Sequence, residues 1–241
     1  MSYYIGTSGW SYEHWFNGVF YPQEMPKSKA FGFYQTQFKT VELNVTYYRL
    51  LPKTTFEGWH KKSAENFIYA VKGSRFITLN KKLSGIEEPL EKFFERVSGL
   101  QKKAGPVLWQ FPPSFGLNIE RLRHFIELLP KEYRHSFEFR HKTWFVDDVY
   151  LLLKKHNMAL VIADSPKWLK VEKITADFRY TRFHSGKILY GSNYSDEELE
   201  QWAEKLSAWH SQSMDIYAYF NNDFNAYAPK NAIRLKRLLG D

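Results

Sequence analysis

Short β-rich runs alternate with helical patterns of apolar residues along the chain. Eight β-rich runs can be counted, at residues 4–7, 40–48, 67–72, 106–111, 135–140, 159–164, 180–184 and 215–221. Between them, apolar residues recur at spacings of three, four and seven, which place them on one face of a helix. Because each helical crossover returns the chain to the same end of a sheet, this alternation predicts parallel strands.

The helical pattern is clearest in three segments. One face carries Leu90, Phe93, Phe94, Val97 and Leu100, and a second carries Leu199, Trp202, Ala203, Leu206 and Trp209. The second helix opens with Ser195, followed three residues later by a Glu, which predicts a capping box. A third helix follows Asn118. Weaker patterns cover residues 28–38, 54–62, 146–156 and 229–239, and the helix after Asp164 is expected to be short or absent.

The predicted fold is a single α/β domain over residues 1–241, a TIM-like (β/α)8 barrel with parallel strands inside and helices outside. Eight strand–helix units in 241 residues favour a closed barrel over an open doubly wound sheet. No segment has the Gly, Ser or Pro enrichment of a linker, and no low-complexity tract interrupts the alternation.

Polar residues share one parity within several strands, as in residues 41–44, 137–140 and 181–184. Alternate strand residues face opposite sides of a sheet, and helices must cover the apolar side, so the polar side is expected to point into the barrel. These polar residues lie near the C-terminal ends of their strands: Glu42, Asn44, Lys72, Gln110, Glu138, Arg140, Asp164, Arg182, His184 and Asn221. Barrel enzymes place their active sites at this end.

Each residue type in this set predicts a chemical role. Glu42, Glu138, Asp164 and His184 are candidate proton carriers, because neighbours and burial can tune their protonation. Lys72, Arg140 and Arg182 are candidates for holding a phosphate or carboxylate. Other side chains are candidates for binding the rest of a substrate. They are the amides Asn44, Gln110, Asn221 and Asn222, the aromatics Trp10 and Tyr47, and the carboxylate Asp223.

A buried ion-pair network is the structural alternative to an active site. In that interpretation Glu42, Glu138 and Asp164 neutralise the nearby Lys and Arg side chains and serve stability alone. Removing a charge from water costs several kcal/mol per ion, so at least partial pairing is expected in either case. The convergence of many charges at one end of the strands favours a ligand site.

Composition excludes several classes of chemistry. The chain has no cysteine, which excludes disulfides, thiolate nucleophiles and cysteine-bound metal centres. The N-terminus lacks the pattern of a signal peptide and no apolar run approaches the about 20 residues needed to cross a bilayer, so a cytoplasmic protein without membrane contact is expected. A net charge of +8 weakly favours an anionic ligand or nucleic acid.

The cofactor stays unknown from the sequence. Carboxylates and an imidazole at the strand ends make a divalent metal possible, since oxygen and imidazole groups are common metal ligands. The candidate ligands are Glu42, Glu138, Asp164, His184 and Asp223. No ligand motif such as His-Glu-x-x-His supports a metal site, and P-loop, dinucleotide-binding and Gly-x-Ser-x-Gly motifs are also absent.

Several motifs resemble the YecE-like family, a domain of unknown function (DUF72), over nearly the whole chain. They are the segments 6–12, 20–22, 42–48, 71–72, 110–113, 138–141 with Trp144, 182–184, 219–223 and 227–232. The resemblance implies a TIM-like barrel and supplies no established reaction. The chain departs from the family pattern at Leu79, where a histidine is frequent, and at Ser185, where a glycine is frequent.

Three functions remain open at this point. The leading hypothesis is an enzyme that uses acid–base chemistry on a small anionic or sugar-like, phosphorylated substrate, with hydrolase, lyase and isomerase not distinguished. The second is a protein that binds nucleic acid or cleaves phosphodiesters, as charge and aromatics allow. The third is a non-catalytic barrel that binds a metabolite or has a purely structural polar cluster.

Overall fold

Nine strands and eight α-helices form the computed structural model, which describes residues 1–241. The strands are β1 (Tyr3–Thr7), β2 (Thr40–Leu43), β3 (Ile68–Lys72), β4 (Ala104–Phe111), β5 (His135–Phe139), β6 (Ala159–Leu160), β7 (Ile162–Asp164), β8 (Phe178–Phe183) and β9 (Asp215–Phe220). The helices are α1 (Ala30–Gln37), α2 (Val45–Tyr48), α3 (Lys53–Lys62), α4 (Glu87–Val97), α5 (Ile119–Leu128), α6 (Asp147–Lys155), α7 (Asp196–Ser211) and α8 (Tyr227–Leu239).

The strands belong to two parallel sheets. One sheet has four strands in the order β1-β9-β8-β7, and the other has five in the order β2-β3-β4-β5-β6. The predicted α/β fold with parallel sheets and helices is therefore confirmed. Closure of the strands into one eight-stranded barrel, and the assignment of residues 1–241 to a single domain, stay predictions.

Residue contacts divide the chain into two compact units. Unit 1 contains Met1–Glu42, Ile162–Lys170 and Asp177–Asp241, and unit 2 contains Leu43–Val161 and Val171–Ala176. The core of unit 1 includes Trp15, Tyr34, Phe183, Leu206 and Phe220, and the core of unit 2 includes Phe93, Trp109, Phe125, Phe137 and Trp144, all of them buried. Each unit therefore has an apolar interior of its own.

The predicted strand at residues 40–48 is wrong in its second half. Strand β2 ends at Leu43, and residues 45–48 form the single helical turn α2. The Thr46 hydroxyl lies 2.8 Å from the carbonyl oxygen of Leu43 and 2.6 Å from that of Lys72. Such side-chain bonds to the backbone offer an alternative to the strand ladder. The turn carries Tyr47 and Tyr48, so the correction changes the surroundings of a predicted site residue.

The predicted strand at residues 159–164 consists of two strands. Ala159–Leu160 pair with β5, whereas Ile162–Asp164 pair with β8, and Val161 lies between them. The chain changes its hydrogen-bonding partner at this point, which the hydrophobic pattern does not reveal. After Asp164, residues 165–177 contain no helix, as the sequence predicts.

The helix predictions hold elsewhere with small changes at the ends. Ser195 and Glu198 form the predicted capping box at the start of α7. Helix α4 ends at Val97, and Leu100, which was expected on the same helix face, lies in a 3₁₀ helix at Ser98–Lys103. A π-helix at Phe76–Asn80 was not predicted. No helix combines the length and the apolar composition that a bilayer crossing requires.

A glycine in β1 gives a test of the packing around the first strand. A Cβ atom at Gly6 would lie 2.5 Å from the Thr40 carbonyl oxygen, so Gly6→Ala should lower the free energy of unfolding by about 1–3 kcal/mol. Gly58 in α3 is the matched control, because a Cβ there meets nothing within 4 Å. Gly58→Ala should raise stability by about 0.5–1 kcal/mol. Urea unfolding measures both, and equal effects would contradict the close approach.

Candidate functional site

The structure confirms that most of the predicted polar residues lie at the C-terminal ends of strands. Those in the last two positions of a strand are Glu42, Lys72, Gln110, Glu138, Asp164 and Arg182, and those one residue beyond a strand are Asn44, Arg140, His184 and Asn221. Unit 1 contains Trp10, Glu42, Asp164, Arg182, His184, Asn221, Asn222 and Asp223. Unit 2 contains Asn44, Tyr47, Lys72, Gln110, Glu138 and Arg140.

In unit 1, the Glu42 carboxylate accepts four hydrogen bonds in a fully buried position. Oε1 accepts from Ser8 Oγ at 2.7 Å and from Arg182 Nη2 at 2.8 Å. Oε2 accepts from Tyr180 OH at 2.7 Å and from Arg182 Nε at 2.9 Å. A carboxylate offers about four lone-pair sites, so these donors occupy the whole acceptor capacity of Glu42.

The pair of Glu42 and Arg182 is closed to solvent. The exposed fractions of their side chains are 0% and 1%. Burial raises the pKa of Tyr180, and the negative charge of Glu42 raises it further, so the phenol keeps its proton and stays a donor. This geometry agrees with the structural alternative for the two residues, and a catalytic role for Glu42 or an anion-binding role for Arg182 stays a prediction. Ser8 and Tyr180 were not predicted as neighbours, although Tyr180 shares the strand parity of Arg182.

Asp164 borders a cavity in unit 1 of about 330 Å³. Its Oδ2 accepts hydrogen bonds from Tyr194 OH at 2.8 Å and from Trp202 Nε1 at 3.3 Å, and its Oδ1 lies 3.1 Å from Lys170 Nζ. Burial and the Asp164 charge raise the pKa of Tyr194, which therefore remains a donor. The sequence analysis missed Lys170, because no regular element between β7 and β8 predicts where that side chain lies.

His184 and Asn222 are fully buried in unit 1. The Asn221 side-chain amide lies 3.2 Å from His184 Nδ1, which fixes the orientation of the imidazole. The Asn222 amide donates to the Ser192 carbonyl at 3.1 Å and to Asn231 Oδ1 at 2.8 Å. These bonds hold neighbouring backbone segments together, and substrate binding by Asn222 stays a prediction.

In unit 1, the Asp223 carboxylate contacts Trp15 and His14. Its Oδ1 accepts from Trp15 Nε1 at 2.6 Å, and its Oδ2 lies 3.0 Å from His14 Nε2. Burial raises the pKa of Asp223 to about 6, while the bonds from Trp15 and the His14 charge oppose the increase. Neither His14 nor Trp15 was predicted as a partner. Trp10, the predicted stacking residue, is half-buried and packs against Phe31 with ring centroids 5.0 Å apart.

In unit 2, Tyr47 and five other predicted residues form a group that we call the Tyr47 site: Asn44, Tyr47, Lys72, Gln110, Glu138 and Arg140. Lys72 Nζ lies 4.2 Å from the centre of the Tyr47 ring, and Gln110 Nε2 lies 3.5 Å from its hydroxyl oxygen. Gln110 and Glu138 are register partners on β4 and β5. Arg140 Nε donates to Glu138 Oε1 at 2.7 Å.

Two amide oxygens of the Tyr47 site are buried without a hydrogen-bond partner, Asn44 Oδ1 and Gln110 Oε1. Burial raises the pKa of Tyr47, and the positive charge of Arg140 opposes this shift, so the phenol is protonated at neutral pH. The site thus contains two unused acceptors, a phenol donor, two cations and one carboxylate. An unsatisfied buried acceptor costs about 1–3 kcal/mol, and a ligand donor would remove that cost.

No three or more His, Asp or Glu side chains come together in an arrangement able to hold a metal ion. Each of the five predicted ligands has a hydrogen-bond or ion-pair partner, and the partners of Asp223 include His14.

Parallel sheets with helices between their strands define an α/β protein. Comparison with known proteins gives its family. The family model "Protein of unknown function DUF72" matches residues 4–241. The chain therefore belongs to the DUF72 family, whose YecE-like members it resembles in sequence motifs.

Curated relatives and solved structures agree with this family. The chain is 26% identical to UPF0759 protein YunF of Bacillus subtilis, covering 98% of this chain and 94% of YunF. It is 25% identical to UPF0759 protein YecE of Escherichia coli K12, and the match covers 94% of this chain and 89% of YecE. A crystal structure of a DUF72 family protein from Thermotoga maritima matches with a TM-score of 0.90 and 30% identity, covering 100% of both chains. A crystal structure of a DUF72 family protein from Enterococcus faecalis has the same fold, with a TM-score of 0.86 and 21% sequence identity. The match covers 100% of this chain and 96% of the Enterococcus chain.

The buried pair in unit 1 should show strong energetic coupling. Arg182→Met leaves a buried carboxylate without its cation and should lower the free energy of unfolding by about 3–5 kcal/mol. The double variant Glu42→Gln with Arg182→Met should be much more stable than the sum of the single effects predicts. Urea unfolding of all four proteins measures the coupling energy.

The exposed pair of Arg234 and Asp196, whose atoms lie 2.7 Å apart, is the matched control. Its coupling should be below about 1 kcal/mol, because water screens exposed ion pairs. Additive effects of the Glu42 and Arg182 substitutions would contradict the closed geometry of the buried pair.

Asp223 should make stability depend on pH. The raised pKa means that the folded protein keeps a proton between about pH 4 and 6 that the unfolded chain has released. The contribution of this group to stability is therefore complete below about pH 4 and is lost as the pH rises to about 6. Asp223→Asn keeps an acceptor for Trp15 and removes the titration. Denaturant unfolding should show the wild type losing stability relative to this variant between pH 4 and 6, and a constant difference would contradict the shift.

Proposed function

We propose that this protein is an enzyme that carries out acid–base chemistry on a small, anionic, polyhydroxylated substrate bound at the Tyr47 site, with a sugar phosphate as the representative ligand. The observation that carries the proposal is the pair of buried acceptors without partners, Asn44 Oδ1 and Gln110 Oε1, in the same cluster as Lys72 and Arg140. Folding alone gains nothing from leaving such acceptors unpaired.

The arrangement of acceptors and cations fits two features of the proposed ligand. Sugar hydroxyls donate hydrogen bonds, so they satisfy the amide oxygens of Asn44 and Gln110. A phosphate or carboxylate pairs with ammonium and guanidinium groups, and charge-assisted bonds of this kind are stronger than neutral ones. A neutral sugar would use only the first feature, whereas inorganic phosphate would use only the second.

The Tyr47 site also supplies a base and an acid. Glu138 is fully buried and accepts a hydrogen bond from Arg140, and we take it as the candidate base. Tyr47 keeps its proton because burial raises its pKa, so it is the candidate acid.

The other predicted proton carriers have a lower priority in this proposal. The four donors of Glu42 leave no acceptor site for a substrate proton. Asp164 borders a cavity, but a lysine, a tyrosine and a tryptophan already bind its oxygens. The Nδ1 atom of His184 already lies 3.2 Å from the Asn221 side-chain amide. We keep Glu138 as the first candidate because it shares a cluster with the unpaired amide oxygens.

We also keep the closed eight-stranded barrel as a proposal. Two local features support it: Ser8, directly after β1, forms an isolated parallel bridge with Glu42 of β2, and only Val161 separates β6 from β7. If β6 and β7 act as one strand, the nine strands reduce to the eight predicted. An experimental structure of this chain tests the closure.

Ligand binding tests the proposed site. Isothermal titration with ribose 5-phosphate, glucose 6-phosphate and the matching neutral sugars should show binding that prefers a phosphorylated sugar. Lys72→Met should remove most of that preference, because it removes a cation. Gln110→Leu should weaken all sugar binding about tenfold, yet leave the ligand-free protein as stable as the wild type or more so, because it removes an unpaired buried acceptor.

The matched control is Lys131→Met, which removes an exposed cation outside the Tyr47 site and should leave binding unchanged. Exchange of substrate carbon-bound hydrogen in D2O, followed by NMR, tests the chemistry and should disappear in Glu138→Gln while binding remains. Binding without exchange would favour a metabolite-binding barrel. No sugar-phosphate binding, together with salt-sensitive binding of an oligonucleotide, would replace the proposal with the nucleic-acid alternative.

A further inference from the structure

A groove in unit 2 lies beside the Tyr47 site and has a mixed aromatic and basic lining. Tyr48, Leu50 and Phe76 contribute its apolar surface, and Arg49, Arg75 and Lys92 contribute its cations. We call this feature the Tyr48 groove. Its volume of about 520 Å³ is sufficient for a group the size of a nucleobase and leaves room for solvent.

The apolar side chains of the Tyr48 groove are unusually exposed. The exposed fractions are 63% for Tyr48, 44% for Phe76 and 41% for Leu50. Single exposed apolar residues are common on protein surfaces, but a contiguous group of them indicates a binding surface. Phe76 begins the π-helix Phe76–Asn80, a conformation that is rare and frequently found at functional sites.

The charges of the groove favour an anionic ligand. Glu88 is the acidic residue of the lining, and its carboxylate lies 3.4 Å from Lys92 Nζ, so this pair is neutral. The net positive charge of the groove therefore comes from Arg49 and Arg75. The Arg75 guanidinium lies 5.6 Å from the centre of the Tyr48 ring. A purely apolar partner would gain nothing from these guanidinium groups.

The groove and the Tyr47 site are adjacent through neighbouring residues. Tyr47 and Tyr48 are neighbours on α2, with ring centroids 5.1 Å apart and rings perpendicular. Lys72 of the Tyr47 site is three residues from Arg75 of the groove. The side chains of the groove and of the Tyr47 site are therefore neighbours within unit 2.

We propose that the Tyr48 groove binds the planar base of a nucleoside phosphate whose ribose and phosphate occupy the Tyr47 site. This inference rests on the proposed function and narrows its substrate class from sugar phosphates to nucleotides. The base packs against the exposed aromatic rings, where stacking is favourable for every base because each has a π face. Guanidinium groups add contacts to the same face or to the phosphate.

A comparison of matched ligands tests the proposal. Titration calorimetry at fixed salt should show that a nucleoside 5′-monophosphate binds at least about tenfold more tightly than ribose 5-phosphate. Four probes with adenine, guanine, cytosine and uracil cover the choice of base. Tyr48→Ala and Phe76→Ala should each remove most of this advantage and leave the affinity for ribose 5-phosphate within about twofold. Tyr48→Phe keeps the ring and should retain the advantage.

The control variant is Leu151→Ala, since Leu151 is 64% exposed on α6 of the same unit and does not line the groove. It should bind both ligands like the wild type. Circular dichroism of each variant checks that the fold is retained, which is expected for exposed side chains.

The outcomes separate this inference from the proposed function. If ribose 5-phosphate binds and nucleotides bind no more tightly, the nucleotide inference is wrong and the proposed function stands. If neither ligand binds, the proposed function fails and the inference fails with it. Binding of single-stranded oligonucleotides alone would also overturn the inference, as would a dimer, measured by light scattering, that Tyr48→Ala dissociates.

Discussion

The cost of dehydrating charged groups governs the C-terminal ends of the strands. Glu42 and Glu138 have no exposed side-chain surface. Glu42 pairs with Arg182, and Glu138 pairs with Arg140. In unit 1, hydroxyl groups of Ser8 and Tyr180 complete the set of donors around Glu42. Charged and polar groups need ion-pair or hydrogen-bond partners where water is excluded. A buried polar atom without such a partner therefore indicates a position that something else could fill.

The Tyr47 site differs from the Glu42 cluster in this respect. Both contain a carboxylate and an arginine at strand ends, but the first also contains amide oxygens without donors. A protein interior normally pairs such atoms with a protein group or an ordered water. This contrast between the two carboxylate–arginine pairs is the reason for proposing a ligand site in unit 2.

Much of this arrangement could be predicted from the sequence because strands have a period of two. The parity of Glu138 and Arg140, and their distance from the end of the β-rich run, placed them correctly at a strand end. The tandem tyrosines of α2 were misplaced because Val, Thr and Tyr favour strands. In the structure, contacts of the Thr46 hydroxyl with two backbone carbonyls accompany the helical turn. The π-helix at Phe76–Asn80 and the lysine beside Asp164 carry no periodic signal, so the groove and that ion pair needed coordinates.

The four hydrogen bonds to the Glu42 carboxylate have a consequence for the evolution of the sequence. Glu42 and Arg182 are 140 positions apart in sequence, yet neither can be replaced alone without leaving a dehydrated ion behind. A lineage that changes one position must pass through a weakened protein unless the other changes as well. Joint replacement by two neutral residues of similar volume is the route that avoids this barrier, so the two positions should evolve together.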